Sequence, residues 1–360
     1  MSDADEPEAF LPKGAAERDT LVLNYTMACP LKCDFCCYGC HPKRSEKMPL
    51  DLALRLVQQA SEIPSITCIG LTGGEPLLHW EDIRTLTTYL SKLQLPFTIA
   101  TAAHWASTAT EAHRVSDVLT RNGLSRANVS SDPSHAAFVP KSSTINAARA
   151  FIDNGIETHI VGTFDNVDDA NEYFADFPLS PLLRVHSRII AKVGRARKYM
   201  PRDEPLINAE SLTCYRRVYH DLVVFYDGKA YPCCSTFNRA TPGIAIGDTT
   251  TEPLRDIWTR LQGSLKFRMM KREGFAHLYD IVKERSPAVF ARLPPLVGNR
   301  GPCSLCNSIF SDAQITLEIN EIFASYELEQ ISNLLSYVAQ RYGPHTVEGI
   351  TDQLTGGTHA

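Results

Sequence analysis

Eleven cysteines are present in this 360-residue chain, and ten of them fall into three groups. Five lie in residues 29–40, three in residues 214–234, and two in residues 303–306. Clustered cysteines in a reducing compartment are more often metal ligands or catalytic groups than disulfides, and thiolates at short spacing bind zinc or iron–sulfur clusters. The remaining one, Cys68, stands in an apolar run and is interpreted as a small buried side chain.

The first group contains the motif C-x3-C-x2-C, formed by Cys29, Cys33 and Cys36. Three thiolates can hold three irons of a cubane and leave the fourth iron open, which the binding of a small chelating molecule requires. A zinc site is the alternative, and it would need a fourth ligand. The nearby residues that could supply that ligand are Cys37, Cys40 and His41.

This motif resembles the signature of the radical S-adenosylmethionine (SAM) superfamily, including the aromatic Phe35 before the last cysteine. A second motif of that family, Gly73-Gly74-Glu75-Pro76, directly follows the second predicted strand. Glycines let the backbone approach a ligand closely, and either Glu75 or a backbone carbonyl could accept the SAM ammonium.

The resemblance implies a [4Fe–4S] cluster on Cys29, Cys33 and Cys36, with the SAM amino and carboxylate groups on the fourth iron. It also implies that one-electron reduction cleaves SAM to methionine and a 5′-deoxyadenosyl radical, which abstracts hydrogen from an unactivated C–H bond.

Two further segments resemble SAM contacts of the family. Residues 130–132 end the fourth predicted strand, where Ser130 and Asp132 would meet the ribose or the carboxylate. Residues 193–196 end the sixth, where Gly194 and Arg195 would lie beside the adenine. The alternative for both segments is an ordinary polar strand end or turn.

Strand-like and helix-like runs alternate six times between residues 20 and 194, which predicts an α/β fold with a parallel sheet covered by helices. Six units rather than eight favour an open, partial (β/α)6 TIM-like barrel, with the chemistry at the carboxyl ends of the strands. We predict a flexible N-terminus at 1–19, the barrel at 20–200 with a Pro-rich boundary at 199–207, a small cysteine-rich domain at 201–311, and a helical segment with a tail at 312–360.

The cysteine-rich domain contains Cys214, Cys233, Cys303 and Cys306, which could form a zinc site or a four-ligand iron–sulfur cluster. A hairpin is predicted at residues 222–228. The C-x9–15-G-x4-C opening resembles the SPASM extension of radical SAM enzymes. Because no cysteine follows Cys306, the resemblance implies the shortened Twitch form with one auxiliary [4Fe–4S] cluster. Cys234 could replace Cys233, although the spacing after the glycine favours Cys233.

The resemblance implies C–H modification of a ribosomal peptide or another natural-product precursor, by cross-linking or epimerisation. The alternative is a dehydrogenase or epimerase of a small sugar or aminocyclitol. A flavodoxin- or ferredoxin-type protein would donate electrons. In radical SAM epimerases a cysteine returns a hydrogen atom to the substrate radical, and Cys234 is the candidate here, unless it is only a small buried residue beside a ligand.

Composition narrows the remaining classes. With a net charge of −5, the chain has no basic field that would favour nucleic-acid binding. No apolar run approaches the roughly 18–20 residues that span a bilayer, and the acidic start lacks the apolar core of a signal peptide. We therefore expect a cytoplasmic protein without a membrane or nucleic-acid partner.

Overall fold

The computed structural model describes residues 19–164, 168–198, 212–214, 219–297, 301–343 and 345–347. The predicted Pro-rich boundary and residues 1–18 of the predicted flexible terminus lie outside this part of the chain. The strands are β1 (Asp19–Thr26), β2 (Ile66–Gly73), β3 (Phe97–Thr101), β4 (Leu124–Ser130), β5 (Glu157–Phe164), β6 (Leu183–Ile189), β7 (Asp221–Phe225), β8 (Lys229–Tyr231) and β9 (Gly247–Asp248).

Helices alternate with the first six strands and dominate the second half of the chain. They are α1 (Leu50–Ser61), α2 (Trp80–Lys92), α3 (Ala109–Arg121), α4 (Pro133–Ala136), α5 (Lys141–Asp153), α6 (Asp168–Phe174), α7 (Leu254–Gly263), α8 (Leu265–Arg272), α9 (Gly274–Arg285), α10 (Pro287–Phe290), α11 (Pro302–Phe310) and α12 (Ala313–Tyr342).

The first six strands form a parallel sheet in the order β6-β5-β4-β3-β2-β1. Amphipathic helices cover one face of this sheet. In α1, for example, Leu52, Leu56 and Ala60 recur at helical spacing and are buried. The edge strands are β6 and β9, so the sheet is not closed within the described residues. The prediction of an open α/β barrel is confirmed.

The predicted hairpin is also confirmed, as the antiparallel pair β7–β8 with Gly228 in a left-handed turn at φ +80°. Its place in the fold was not predicted. Strand β7 pairs in parallel with β1 and so extends the barrel sheet across the expected domain boundary. Because a strand edge has unpaired backbone groups, this pairing satisfies the free edge of β1. It also brings the second cysteine group close to the loop that follows β1.

The two faces of the sheet differ in character. Along β1, Leu23 and Tyr25 pack into the core under the helices, and alternation places Val22 and Asn24 on the opposite, concave face. Asn24 is fully buried, and neither polar atom of its amide has a hydrogen-bond partner in the described residues. An unpartnered buried amide on this face is suited to receive a polar group of a bound molecule.

The predicted C-terminal helix is present as the 30-residue α12. Its first turns bury Ile315, Ile319 and Phe323, whereas the second half is mostly exposed. No helix in the described part of the chain combines the length and the apolar character that crossing a bilayer requires.

Candidate functional site

The three cysteines of the first motif follow β1 in one loop. Cys29 and Cys33 are buried, and Cys36 is half-buried. Burial raises the pKa of the Cys29 thiol to about 12. An uncompensated thiolate is therefore unfavourable here, and bound iron would supply the missing positive charge. Three thiols on one loop beside an apolar wall fit a cluster that leaves one iron open.

Cys40, one of the alternative ligands, lies beside Cys36. Its thiol is hydrogen-bonded to the Cys36 sulfur, which lowers the pKa of Cys36 and raises that of Cys40. Within the described residues, no three His, Cys, Asp or Glu side chains are arranged to hold a single metal ion. In a cubane each thiolate binds a different iron, so the thiols need not converge on one point.

Backbone hydrogen bonds hold the second motif, Gly73-Gly74-Glu75-Pro76, against this loop. Gly74 N donates to Thr26 O at 2.6 Å, and Glu75 N donates to Ala28 O at 2.9 Å. A Cβ on Gly74 would lie 2.1 Å from Ala28 O, and one on Gly73 would lie 2.5 Å from Thr26 O. The glycines are therefore required by the contact between two loops of the protein itself.

Glu75 is fully buried, and its carboxylate joins the ends of β2 and β3. The carboxylate accepts hydrogen bonds from Leu77 N at 3.0 Å, from Ala102 N at 2.6 Å and from the Thr101 hydroxyl at 3.0 Å to either oxygen. Pro76 then begins a short 3-10 turn. Because both oxygens already have protein donors, a backbone carbonyl is the better of the two candidates for the SAM ammonium.

We expect Glu75→Gln to lower the free energy of unfolding of the apoprotein by about 2–3 kcal/mol, because the new amide NH2 would face backbone donors. Urea denaturation of the metal-free protein measures this. A variant with unchanged stability and a raised KM for SAM would instead assign the carboxylate to SAM binding.

Asp132 connects the fourth strand end to the first cysteine loop. It is fully buried, and its Oδ2 accepts hydrogen bonds from His135 Nδ1 at 2.7 Å and from Thr163 N at 3.0 Å. The His135 ring lies 5.6 Å from the Phe35 ring and is hydrogen-bonded to Cys33. Burial opposes the imidazolium, but the bonds to Asp132 and Cys33 outweigh it and raise the pKa of His135 to about 10. His135 thus lies between the predicted contact residues Phe35 and Asp132 and beside Cys33.

Ser130 is the last residue of β4 and is half-buried. It is in register with Val161 of β5, on the face that also holds Asn128 and His159. A bound molecule on the concave side would therefore find the Ser130 hydroxyl on its side of the sheet.

Gly194 and Arg195 hold the cysteine loop from the opposite side. Arg195 Nε donates to Cys33 O at 2.7 Å, its Nη2 to Cys40 O at 2.8 Å, and its backbone N to Cys36 O at 3.1 Å. Gly194 has φ +59°, and a Cβ there would lie 2.3 Å from Cys36 O. The sequence suggested an adenine contact for both residues, but their donors and close approach are directed to the loop of the protein.

The four predicted ligands of the auxiliary cluster surround a separate cavity. Its lining includes the four predicted ligands and apolar side chains of α8 and α9. The four cysteines in this lining are Cys214, Cys233, Cys303 and Cys306. Burial raises the pKa of Cys303 to about 11 and raises those of Cys233 and Cys306 as well. An all-thiolate set in an apolar cavity fits a four-ligand cluster.

Cys234 points elsewhere. It does not line the cavity, and its Sγ donates a hydrogen bond to Asp221 Oδ2 at 2.9 Å. The residue is exposed, so the alternative that it is only a small buried side chain is wrong. Asp221 is in register with Thr20 of β1, two residues before Val22, which places its carboxylate on the concave face of the sheet.

A bridge that sequence reasoning missed joins the two cysteine sites. The Tyr38 hydroxyl, two residues after Cys36, donates to Asn238 Oδ1 at 3.2 Å. Asn238 Nδ2 donates to Cys233 O at 2.9 Å. Nothing in the spacing of Tyr38 and Asn238 could have identified the pair, because they are 200 residues apart in the chain.

Comparisons with known families agree with this geometry. The radical SAM superfamily matches residues 23–175, and the SPASM family, an iron–sulfur cluster-binding domain, matches residues 214–279. The chain contains a radical SAM domain, which is followed by a SPASM iron–sulfur cluster-binding domain. Its cofactors are SAM and the [4Fe–4S] cluster of the barrel, and auxiliary iron–sulfur cluster binding in the second domain adds to them.

Two known proteins illustrate the relationship. YydG of Bacillus subtilis, provisionally named a peptide biosynthesis protein, is 23% identical over 304 residues, covering 82% of this chain and 93% of YydG. The crystal structure of Streptococcus suis SuiB bound to the precursor peptide SuiA has a TM-score of 0.54 and 17% identity, covering 75% of this chain and 74% of SuiB. The SuiB likeness establishes the shared fold.

Proposed function

We propose that this enzyme epimerises residues of a ribosomal precursor peptide, with Cys234 as the hydrogen-atom donor. The supporting observation is the position of Cys234. It neighbours a proposed cluster ligand, yet its thiol lies outside the cluster cavity and is bonded to Asp221 on the concave face. A cross-linking enzyme or a dehydrogenase needs no thiol at this place, whereas an epimerase does.

The peptide substrate is supported by the known proteins that this chain resembles. YydG matches over most of both chains and is named for peptide biosynthesis, and SuiB has been crystallised with a precursor peptide. The sheet is not closed within the described residues, and an open sheet suits an extended chain better than a closed barrel does.

SAM and the reduced cluster, when bound at the two motifs, would supply a 5′-deoxyadenosyl radical able to take the α-hydrogen of a peptide residue. Cys234 then transfers the hydrogen atom of its thiol to the opposite side of that carbon, which forms the new C–H bond and leaves the unpaired electron on sulfur. One further electron, from a flavodoxin- or ferredoxin-type donor, and one proton restore the thiol. Asp221, hydrogen-bonded to this sulfur, is placed to deliver the proton.

The hydrogen bond to Asp221 suits Cys234 to this task. A hydrogen-atom donor must carry its S–H, whereas the thiolate is the form that binds metals or attacks as a nucleophile. A carboxylate that accepts the S–H stabilises the protonated thiol and disfavours a second negative charge. Such an arrangement favours hydrogen donation over metal ligation at Cys234.

Turnover with co-expressed candidate precursor peptides in heavy water tests the proposal. Each event on the wild type should leave the peptide with one deuterium and otherwise unchanged mass, because an exposed thiol exchanges its hydrogen with solvent. Cys234→Ala should still form 5′-deoxyadenosine but incorporate no solvent deuterium.

Cys68→Ala serves as the control, since Cys68 is buried in β2 and has no place in the chemistry. Loss of two hydrogens from the product would mean cross-linking or dehydrogenation and would overturn the proposal. Normal deuterium incorporation by Cys234→Ala would remove this residue from the mechanism.

A further inference from the structure

Two buried lysines of α8 flank the auxiliary cysteine cavity. Lys271 is 6% exposed and belongs to the cavity lining. Lys266 is 8% exposed and lies near Cys306. Lysine is almost never buried to this degree unless it is paired with an opposite charge.

The partners of both ammonium groups are neutral. Lys271 Nζ donates to Tyr219 O at 2.9 Å, and Lys266 Nζ donates to Asn320 Oδ1 at 2.7 Å. Lys266 also lies 4.9 Å and 4.8 Å from the ring centroids of Phe267 and Phe310. Neither lysine is within salt-bridge distance of a carboxylate in the described residues.

Burial in such surroundings disfavours the charged form, and it lowers the pKa of Lys266 to about 8. The cavity cysteines oppose this effect. Cys306 raises the pKa of Lys266, and Cys214 and Cys233 raise the pKa of Lys271. Asp19 and Asp221 also raise the pKa of Lys271, although neither is within salt-bridge distance of it. A group that carries net negative charge inside the cavity would provide the missing partner for both lysines.

A four-thiolate cluster has that charge. Its four thiolates outweigh the positive charge of the iron–sulfur core, and one-electron reduction adds a further negative charge. A buried cation beside the cluster therefore stabilises the reduced form more than the oxidised form, and nearby charge is one of the factors that set the potentials of such clusters.

We propose that Lys266 and Lys271 are the counter-charges of the auxiliary cluster, and that they retain it in the cavity and make it easier to reduce. This inference rests on the auxiliary cluster occupying the Cys214–Cys306 cavity and is independent of whether the reaction is an epimerisation.

The potential of the auxiliary cluster tests the inference directly. In full-length protein with alanine at Cys29, Cys33 and Cys36, only the auxiliary cluster should remain, and an EPR-monitored redox titration reports its midpoint. We expect Lys266→Met and Lys271→Met each to shift the reduction equilibrium about tenfold toward the oxidised form, which is about 59 mV for one electron. Lys271→Arg, which keeps the charge, should have a midpoint potential close to that of the protein with Lys271.

Lys283→Met is the matched control, since Lys283 is an exposed lysine of α9 near the Phe290 ring. Unchanged potentials in both methionine variants would overturn the inference. If a variant fails to retain iron, the thermal stability of the metal-free protein tests the inference instead. Because the variant no longer buries an unpaired charge, its apoprotein should have a higher melting temperature than the wild-type apoprotein. A lower melting temperature would show that the lysine has only a structural role and would refute the inference.

Discussion

A variant with alanine at Cys29, Cys33 and Cys36 is expected to lose SAM cleavage completely while it keeps the auxiliary cluster. The three thiols share one loop after β1, and the auxiliary cysteines surround a different cavity. Removing the first set therefore leaves the second set of ligands intact. Iron in anaerobically reconstituted protein should fall from about eight to about four per chain. Iron and sulfide analysis, together with assays for 5′-deoxyadenosine under strong reductant, measures both effects.

Cys37→Ala provides the control for this experiment, because Cys37 is in the same loop but outside the motif. It should retain both clusters and cleave SAM. A fall from about four irons to nearly none in the triple variant, with zinc bound, would contradict the assignment of the second set. That result would make the second cysteine site structural.

Gly194→Ala is expected to displace the first cluster, although the substitution replaces none of its proposed cysteine ligands. Gly194 has φ +59°, and an added Cβ would lie 2.3 Å and 2.4 Å from the carbonyl oxygens of Cys36 and Cys37. These are backbone atoms, so the clash can be relieved only by moving the cysteine loop or the turn that contains Arg195. We expect iron to fall by about half and SAM cleavage to fall with it.

Gly155→Ala separates this clash from the cost of the backbone conformation. Gly155 has φ +75°, and a Cβ there would meet nothing within 4 Å. Its substitution should cost only the left-handed penalty of about 1–2 kcal/mol, with both clusters retained. Equal loss of iron in the two variants would indicate general destabilisation and would count against a specific role for the Gly194 turn.

Much of the fold could be predicted because its signals are local. Helical and strand periodicities within single segments indicate six β/α units, and Asp227-Gly228 indicates a hairpin. The pairing of β7 with β1 could not be predicted, since a free strand edge has no pattern that names its partner. That pairing places the auxiliary cavity and Cys234 beside the barrel.

The choice between Cys233 and Cys234 shows the limit of spacing arguments. Spacing favours Cys233 as the ligand, and the structure places Cys233 in the cavity with the other three cysteines. Spacing provides no partner for Cys234. Its bond to Asp221 depends on how β7 meets the segment after β8, which only the folded sheet defines.

The class of chemistry could be predicted from local motifs, because Cys29, Cys33 and Cys36 and the Gly-Gly-Glu-Pro motif lie within short segments. The contacts of Glu75 and Arg195, in contrast, are evident only in the folded protein. The bond from Arg195 to Cys33 joins residues 162 positions apart, and no local pattern records such a contact. The same holds for the two lysines beside the auxiliary cysteines, since burial and nearby charge arise only when distant segments pack together.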